Sequence, residues 1–154
     1  MAVDIESIWQ ALYDRIESKC PEFVTVTRRR RMDFGMEELP AALILDDNGD
    51  ETPSREDDDL PPAWVLTGEV ILWARDPGPT DEKPTAKLND LVRSVRSALE
   101  RQASESTTGT RGAVQFYTNL GNRVRKFAIT RVEKGAGEVT GKAIAKITLE
   151  MEAL

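Results

Sequence analysis

The residue types that most enzymes use for acid–base and nucleophilic chemistry are scarce in this sequence. It contains no histidine and a single cysteine, Cys20. Because histidine is the commonest general base and metal ligand, a Ser–His–Asp site, a Cys–His site and a usual zinc site are all excluded. The sequence also has no GxxxxGK[ST] phosphate loop and no GxGxxG segment after a strand. We therefore predict that the protein is not an enzyme and binds no cofactor.

Carboxylates are abundant, and one segment holds most of the net charge. The whole chain of 154 residues has a net charge of −6, whereas residues 46–59 (DDNGDETPSREDDD) carry −7 and the remainder +1. Carboxylate chemistry with a hard metal ion stays open in principle. However, the flanks of this segment indicate a strand and a Pro-rich loop rather than the two helices of an EF-hand. We interpret residues 46–60 as a long, solvated acidic loop.

Four consecutive arginines at positions 28–31 form the second charged feature. They follow a predicted strand, in which successive side chains point to opposite faces, so only half of them can point the same way. One interpretation is a phosphate-binding patch for nucleic acid. The other is pairing with acids of a neighbouring subunit, which we favour because neither interleaved aromatic residues nor a recognition helix accompanies the run.

The spacing of apolar residues predicts an α+β fold. Helical periodicity at 4–19 and 85–102 predicts two helices, and alternation predicts strands at 23–28, 41–46, 64–75, 123–132 and 142–151. The predicted order is α-β-β-β-α-β-β, with the two helices packed on a mostly antiparallel or mixed sheet. We expect a single domain over residues 1–154, with an irregular segment at 103–122.

The strand predicted at 64–75 is apolar on both faces. Trp64 and Trp73 lie nine residues apart, so they point to opposite faces. Such a strand is either central and covered on both sides or has one face against a neighbouring subunit. Trp73 is therefore a candidate interface anchor.

No segment has the length of a membrane span. The longest apolar runs, such as Ala41–Leu45 and Val70–Ala74, fall far short of the roughly 20 residues that a membrane helix needs. The first residues show no basic stretch leading into an apolar one, which is the pattern of a secretory signal. We therefore expect cytosolic synthesis and no membrane partner.

The order of these segments resembles the tail terminator (minor tail protein U-like) family of long-tailed bacteriophages. The resemblance extends over nearly the whole chain, and the acidic stretch and residues 103–122 are the parts that depart from it. The strongest similarity lies in the tryptophan-containing strand and the helix that follows it. The segments that carry the resemblance are IWQALYDRI, VTVTRRRR, ELPAALIL, LPPAWVLTGEVILWAR, KLNDLVRSVRSAL, FAITRVE and AIAKITLEME.

The resemblance implies a homo-hexameric ring that caps the tail tube and ends its polymerisation. Its implied partners are other copies of itself, the tail tube protein and a neck or head-completion protein, and DNA passes through the lumen without specific binding. The implied location is the host cytoplasm during assembly and then the tail or neck of the virion.

The ring interpretation leads to a set of candidate contact residues, because a closed ring needs two different patches that meet head to tail. The residues predicted to lie at a subunit or partner interface are Arg28, Arg29, Arg30, Arg31, Asp57, Asp58, Asp59 and Trp73. Two alternatives stay open. One is another head–tail connector or neck protein, and the other is a nucleic-acid-binding or regulatory domain that uses the arginine run.

Overall fold

The fold comes from a computed structural model, which describes residues 4–31, 33–46, 51–53, 64–75, 86–102, 116–136 and 142–153. In chain order, its elements are α1 (Ile5–Lys19), β1 (Thr25–Thr27), β2 (Ala41–Leu45), β3 (Glu51–Pro53), β4 (Trp64–Arg75), α2 (Ala86–Ala98), β5 (Val124–Ala136) and β6 (Lys142–Ala153). Within these ranges, no helix combines the length and the apolar character that crossing a membrane requires.

The strands form one mixed sheet with the order β1-β2-β4-β6-β5. β1 and β2 are parallel, and every other pairing is antiparallel. The predicted α+β class and the predicted mostly antiparallel sheet are confirmed. The strand β3 was not predicted, because it lies inside the segment interpreted as a solvated loop. It forms where β4 extends beyond β2: β2 pairs with residues 69–73 of β4, and β3 pairs with residues 64–66.

Local signals fix the ends of α1. The side chain of Asp4 accepts a hydrogen bond from the backbone N–H of Ser7 at 3.1 Å, which caps the first turn. At the other end, the backbone N–H of Cys20 donates to the carbonyl of Ile16 at 3.0 Å, and Pro21 follows. The Cys20 side chain is buried, and burial raises the pKa of its thiol. Cys20 therefore closes the helix as a packed residue.

One apolar cluster fills the space between the two helices and one face of the sheet. The predicted stripe of α2 is buried there, as is the inward face of β6. The buried residues recur every three to four positions in the helix and at every second position in the strand, as the geometry of each element requires. The core residues of these two elements are Leu88, Leu91, Val92, Val95, Ala98, Ala143, Ala145, Ile147, Leu149, Met151 and Ala153.

A second apolar cluster covers the opposite face of the sheet over β2 and one end of β4. Its buried members are Phe34, Leu39, Ala41, Leu43, Leu45 and Trp73. Phe34 and Leu39 belong to the segment 33–39, which contains a single 3₁₀ turn at Met36–Glu38. β2 is therefore buried on both faces. β4 is a central strand, which was one of the two alternatives left open by its sequence, and Trp73 lies under this second cover.

Gly68 allows α1 to approach β4 closely. A Cβ atom at this position would overlap the Trp9 ring and would lie 2.8 Å from the carbonyl oxygen of Leu45. Real Cβ atoms do not approach other atoms so closely, so any larger residue must displace either the indole or a backbone strand. Gly68 is thus the position in the middle of β4 on which the indole of Trp9 packs.

We predict that Gly68→Ala lowers the free energy of unfolding by about 1–3 kcal/mol, because the core has no space for the added methyl group. Urea unfolding followed by tryptophan fluorescence measures this change. Gly135→Ala in β5 is the matched control, since nothing lies within 4 Å of its added Cβ. The control is expected to change stability by no more than about 1 kcal/mol. Equal effects of the two substitutions would contradict the close packing of Trp9 on Gly68.

Candidate interaction surfaces

Arg28, the first residue of the arginine run, ties α1 to the ends of two strands. Its guanidinium donates to both carboxylate oxygens of Glu6, one of them at 3.1 Å, and to Asp46 at 2.9 Å. It also donates to the side chain of Gln10 at 3.2 Å. The hydrogen bond from Arg28 lowers the pKa of Glu6 below its usual range. Arg28 is therefore engaged inside its own chain, where it bridges residues that lie far apart in sequence.

Arg31, the last residue of the run, is held by the segment 33–39. It makes a bidentate ion pair with Glu38 at 2.7 and 2.9 Å, and its guanidinium lies 4.4 Å from the centre of the Phe34 ring. The backbone N–H of Gly35 donates to the same carboxylate at 2.7 Å. Both sets of hydrogen bonds lower the pKa of Glu38, and the bond from Arg31 has the larger effect.

Arg29 and Arg30 are the exposed members of the run. The backbone N–H of Arg29 donates to the hydroxyl of Thr27 at 3.0 Å, which directs the chain away from β1. The four arginines consequently do not form one continuous cationic patch. An interface role for the whole run stays a prediction, and the two inner arginines, Arg29 and Arg30, are its most exposed members.

Trp73 lies on the face of β4 away from the helices. It is 6% exposed, and its ring packs against Phe34 with centroids 4.8 Å apart and planes tilted by 59°. Three other predicted interface residues, Asp57, Asp58 and Asp59, lie outside the described residues. Their place in an interface stays a prediction, and so does that of Trp73.

The segment 33–39 is fixed to the outer face of the sheet by charge as well as by packing. The Nζ of Lys142, at the start of β6, lies 2.7 and 2.8 Å from the two carboxylate oxygens of Asp33. The side chain of Lys142 is 8% exposed, so water screens this pair less than a surface pair. Arg75 also donates to the carbonyl oxygen of Met36 at 2.8 Å. The sequence pattern of residues 33–39 did not predict this role as a cover.

A cleft of about 310 Å³ lies between α1 and the turn at 120–123. The two arginines in its lining bond to backbone carbonyls: Arg15 donates to Glu100 at 2.6 Å, and Arg123 donates to Leu120 at 2.9 Å. The carbonyl of Glu100 lies just beyond the end of α2, where a cation is favoured. Among the described residues, there is no group of three or more His, Cys, Asp or Glu side chains placed to hold a metal ion.

The strand β5 forms one edge of the sheet. In the described part of the chain it pairs only with β6, and that pairing has two register shifts. Residues 130–135 are exposed on both faces. A shallow cavity of about 250 Å³ lies beside the strand, lined by Ile129, Arg131 and Val132 of β5 and by Arg96 and Tyr117.

Comparisons with known proteins show a likeness of fold. No family model matches the sequence, and no curated protein matches it. Among solved structures, the chain is similar to a chain of the virion of a native gene transfer agent particle, with a TM-score of 0.62 and 11% identity. The similarity covers 99% of this chain and 97% of the other. At this identity the likeness shows a shared fold over both chains from end to end.

We predict that acid weakens the ion pairs at both ends of the arginine run. Ion pairing lowers the folded-state pKa of Glu6, Asp33 and Glu38, so each carboxylate stabilises the fold above its ordinary pKa of about 4. That contribution is lost as the pH falls through the lowered values. Unfolding curves between pH 7 and pH 2.5 are expected to show stability falling below about pH 4.5.

The variant Asp33→Asn/Glu38→Gln tests this origin of the acid sensitivity. It is expected to be less stable than the wild type at pH 7 and to lose less stability on acidification. The exposed Glu22 takes part in none of these ion pairs, so Glu22→Gln is the control. An unchanged pH profile in the double variant would show that the acid sensitivity arises elsewhere.

Proposed function

We propose that this chain is a structural protein of a phage-like virion, in which copies of it form a ring at the end of the tail tube. The observation that carries the proposal is the fold similarity over 99% of this chain and 97% of a chain from a gene transfer agent virion. Because the likeness is end to end, it concerns a whole protein rather than a shared supersecondary motif. The sequence resemblance to tail terminators points to the same kind of particle.

The distribution of charge supports a role in assembly rather than in nucleic-acid binding through the arginine run. Arg28 and Arg31 are bound by carboxylates of their own chain, which leaves Arg29 and Arg30 as the exposed cations there. Phosphate binding depends on several unneutralised cations. The carboxylates bound to Arg28 and Arg31 remove two of the four arginines from such a patch. The ordered packing of 33–39 on the sheet instead offers a rigid outer face.

In the proposed ring, the acidic segment has one of two positions. It lines the lumen, or it faces an axial partner at one end of the ring. Its net charge of −7 over residues 46–59 would repel DNA phosphates and so prevent DNA from adhering during passage. A tail terminator stays attached to the tail, whereas a head–tail connector stays attached to the head. That difference provides the test.

We predict that particles lacking this protein accumulate tail tubes of uncontrolled length that do not join to heads. Electron microscopy of negatively stained lysates measures both properties. Purified protein added to isolated tubes is expected to bind at one end and to stop elongation. The Glu22→Gln variant, whose fold is expected to be intact, is the control for added protein. Tubes of normal length in the deletion, with the protein found on heads, would instead identify a connector.

A further inference from the structure

The strand β5 is a long edge of the sheet. It has 13 residues, and within the described ranges it pairs only with β6. The unpaired N–H and C=O groups of such an edge can bind another extended chain, so proteins usually shorten or cover their edge strands. β1, at the other side of the sheet, has only three residues and follows that rule. In β5, by contrast, residues 130–135 are all exposed.

The register with β6 shows which face each residue of this stretch occupies. Val132 lies opposite Ile147, a core residue, so Val132 is on the face of the sheet that carries the helices. Arg131 and Glu133, on either side of it, are on the outer face. Val132 nevertheless remains 36% exposed, and a shallow cavity of about 250 Å³ lies beside it. The two helices therefore leave this corner of the sheet uncovered, with space for a neighbouring molecule.

Arg131 and Glu133 form an exposed ion pair within the strand. The Nε of Arg131 lies 2.8 Å from a carboxylate oxygen of Glu133, and the two side chains are 71% and 48% exposed. An exposed pair of this kind contributes little to the stability of a single chain, because water screens it. It does give the edge a defined pattern, in which a cation and an anion on the outer face flank an apolar residue on the inner face.

This pattern is complementary to itself when two strands run antiparallel. If Val132 lies opposite Val132 of a second copy, Arg131 of each copy lies opposite Glu133 of the other. Side chains directly opposite each other have Cβ atoms about 4.5–5.5 Å apart, which is within reach of an ion pair. The four charges then form a closed set, in which each one has an opposite charge beside it along its own strand and across the contact. Lys134 lies opposite Thr130 and meets no like charge there.

The neighbouring registers lack this match. A pairing centred on Arg131 places two arginines opposite each other, and a pairing centred on Glu133 places two carboxylates opposite each other. Like charges in directly opposite positions destabilise a pair of strands. The charges that keep other strands away from this edge thus favour one register with one partner, which is a second copy of the same chain.

We propose that the stretch 130–134 of β5 is the surface through which two copies of this chain pair, as antiparallel strands centred on Val132. The two-fold contact joins the two sheets into one, places the helices of both copies on the same side and buries Val132 against its counterpart. The contact uses the same patch of both molecules, so it differs from the head-to-tail contacts of the proposed ring. The inference therefore goes beyond the proposed function and does not rest on it.

Charge reversal at the two outer-face positions tests the pairing with purified protein alone. Arg131→Glu leaves only acids at these positions and Glu133→Arg leaves only bases, so each variant repels its own copies. In sedimentation velocity, we expect each to dimerise at least about tenfold more weakly than the wild type. An equimolar mixture of the two is expected to recover dimers, because every cross-strand pair then has opposite charges. Arg93→Glu on α2, at a side chain that is 79% exposed, is the control and is expected to dimerise normally.

The outcomes also separate this inference from the proposed function. Far-ultraviolet circular dichroism checks that each variant folds. Wild-type protein without dimers, single variants that dimerise as the wild type does, or a mixture of folded variants that stays monomeric would each overturn the pairing. Single variants that dimerise normally but no longer bind isolated tail tubes would overturn it too and assign the edge to the tube protein. Dimers that form as expected but never bind a tube end would overturn the proposed function and support this inference.

Discussion

The constraint on which the rest of the fold depends is the cover of β4, whose helix-facing side is largely buried and whose opposite side carries the buried Trp73. A central strand with apolar side chains on both sides must be covered twice, because exposed apolar area costs about 25 cal/mol for each Å². The helices cover one face, and Gly68 lets the indole of Trp9 reach the strand backbone. The segment 33–39 covers the other face through Phe34 on Trp73. Without either cover, β4 would expose a tryptophan-containing surface.

Charged residues hold the second cover in place. The segment 33–39 has no helix or strand of regular length, so packing alone would leave it free to move away from the sheet. The bidentate pair of Arg31 with Glu38 and the largely buried Lys142 bonded to Asp33 fix both of its ends. Arg28 acts similarly between α1 and the strand ends. Two residues of the arginine run thus serve the fold, which leaves other surfaces for partners.

Periodicity was sufficient to predict most elements but not the ion pairs. The stripes of the two helices and the alternation of β6 are local properties, so they were readable from the sequence. The strand β3 could not be read from the sequence, because it forms against the part of β4 that extends beyond β2 and not through a pattern of its own residues. Equally, four adjacent arginines look alike in sequence. Only the fold shows that Arg28 and Arg31 meet carboxylates from distant parts of the chain, and that β5 is an edge.

The central claim is that this chain forms a ring at the head-proximal end of a tail tube. Its fold is shared with a chain of a virion, and an apolar core forms among the described residues of one copy. Cryo-electron microscopy of purified particles from the organism that carries this gene tests the claim most directly. We expect a closed ring of copies between the tube and the neck. Absence of the chain from the particle, or its presence only on the portal side, would contradict the account.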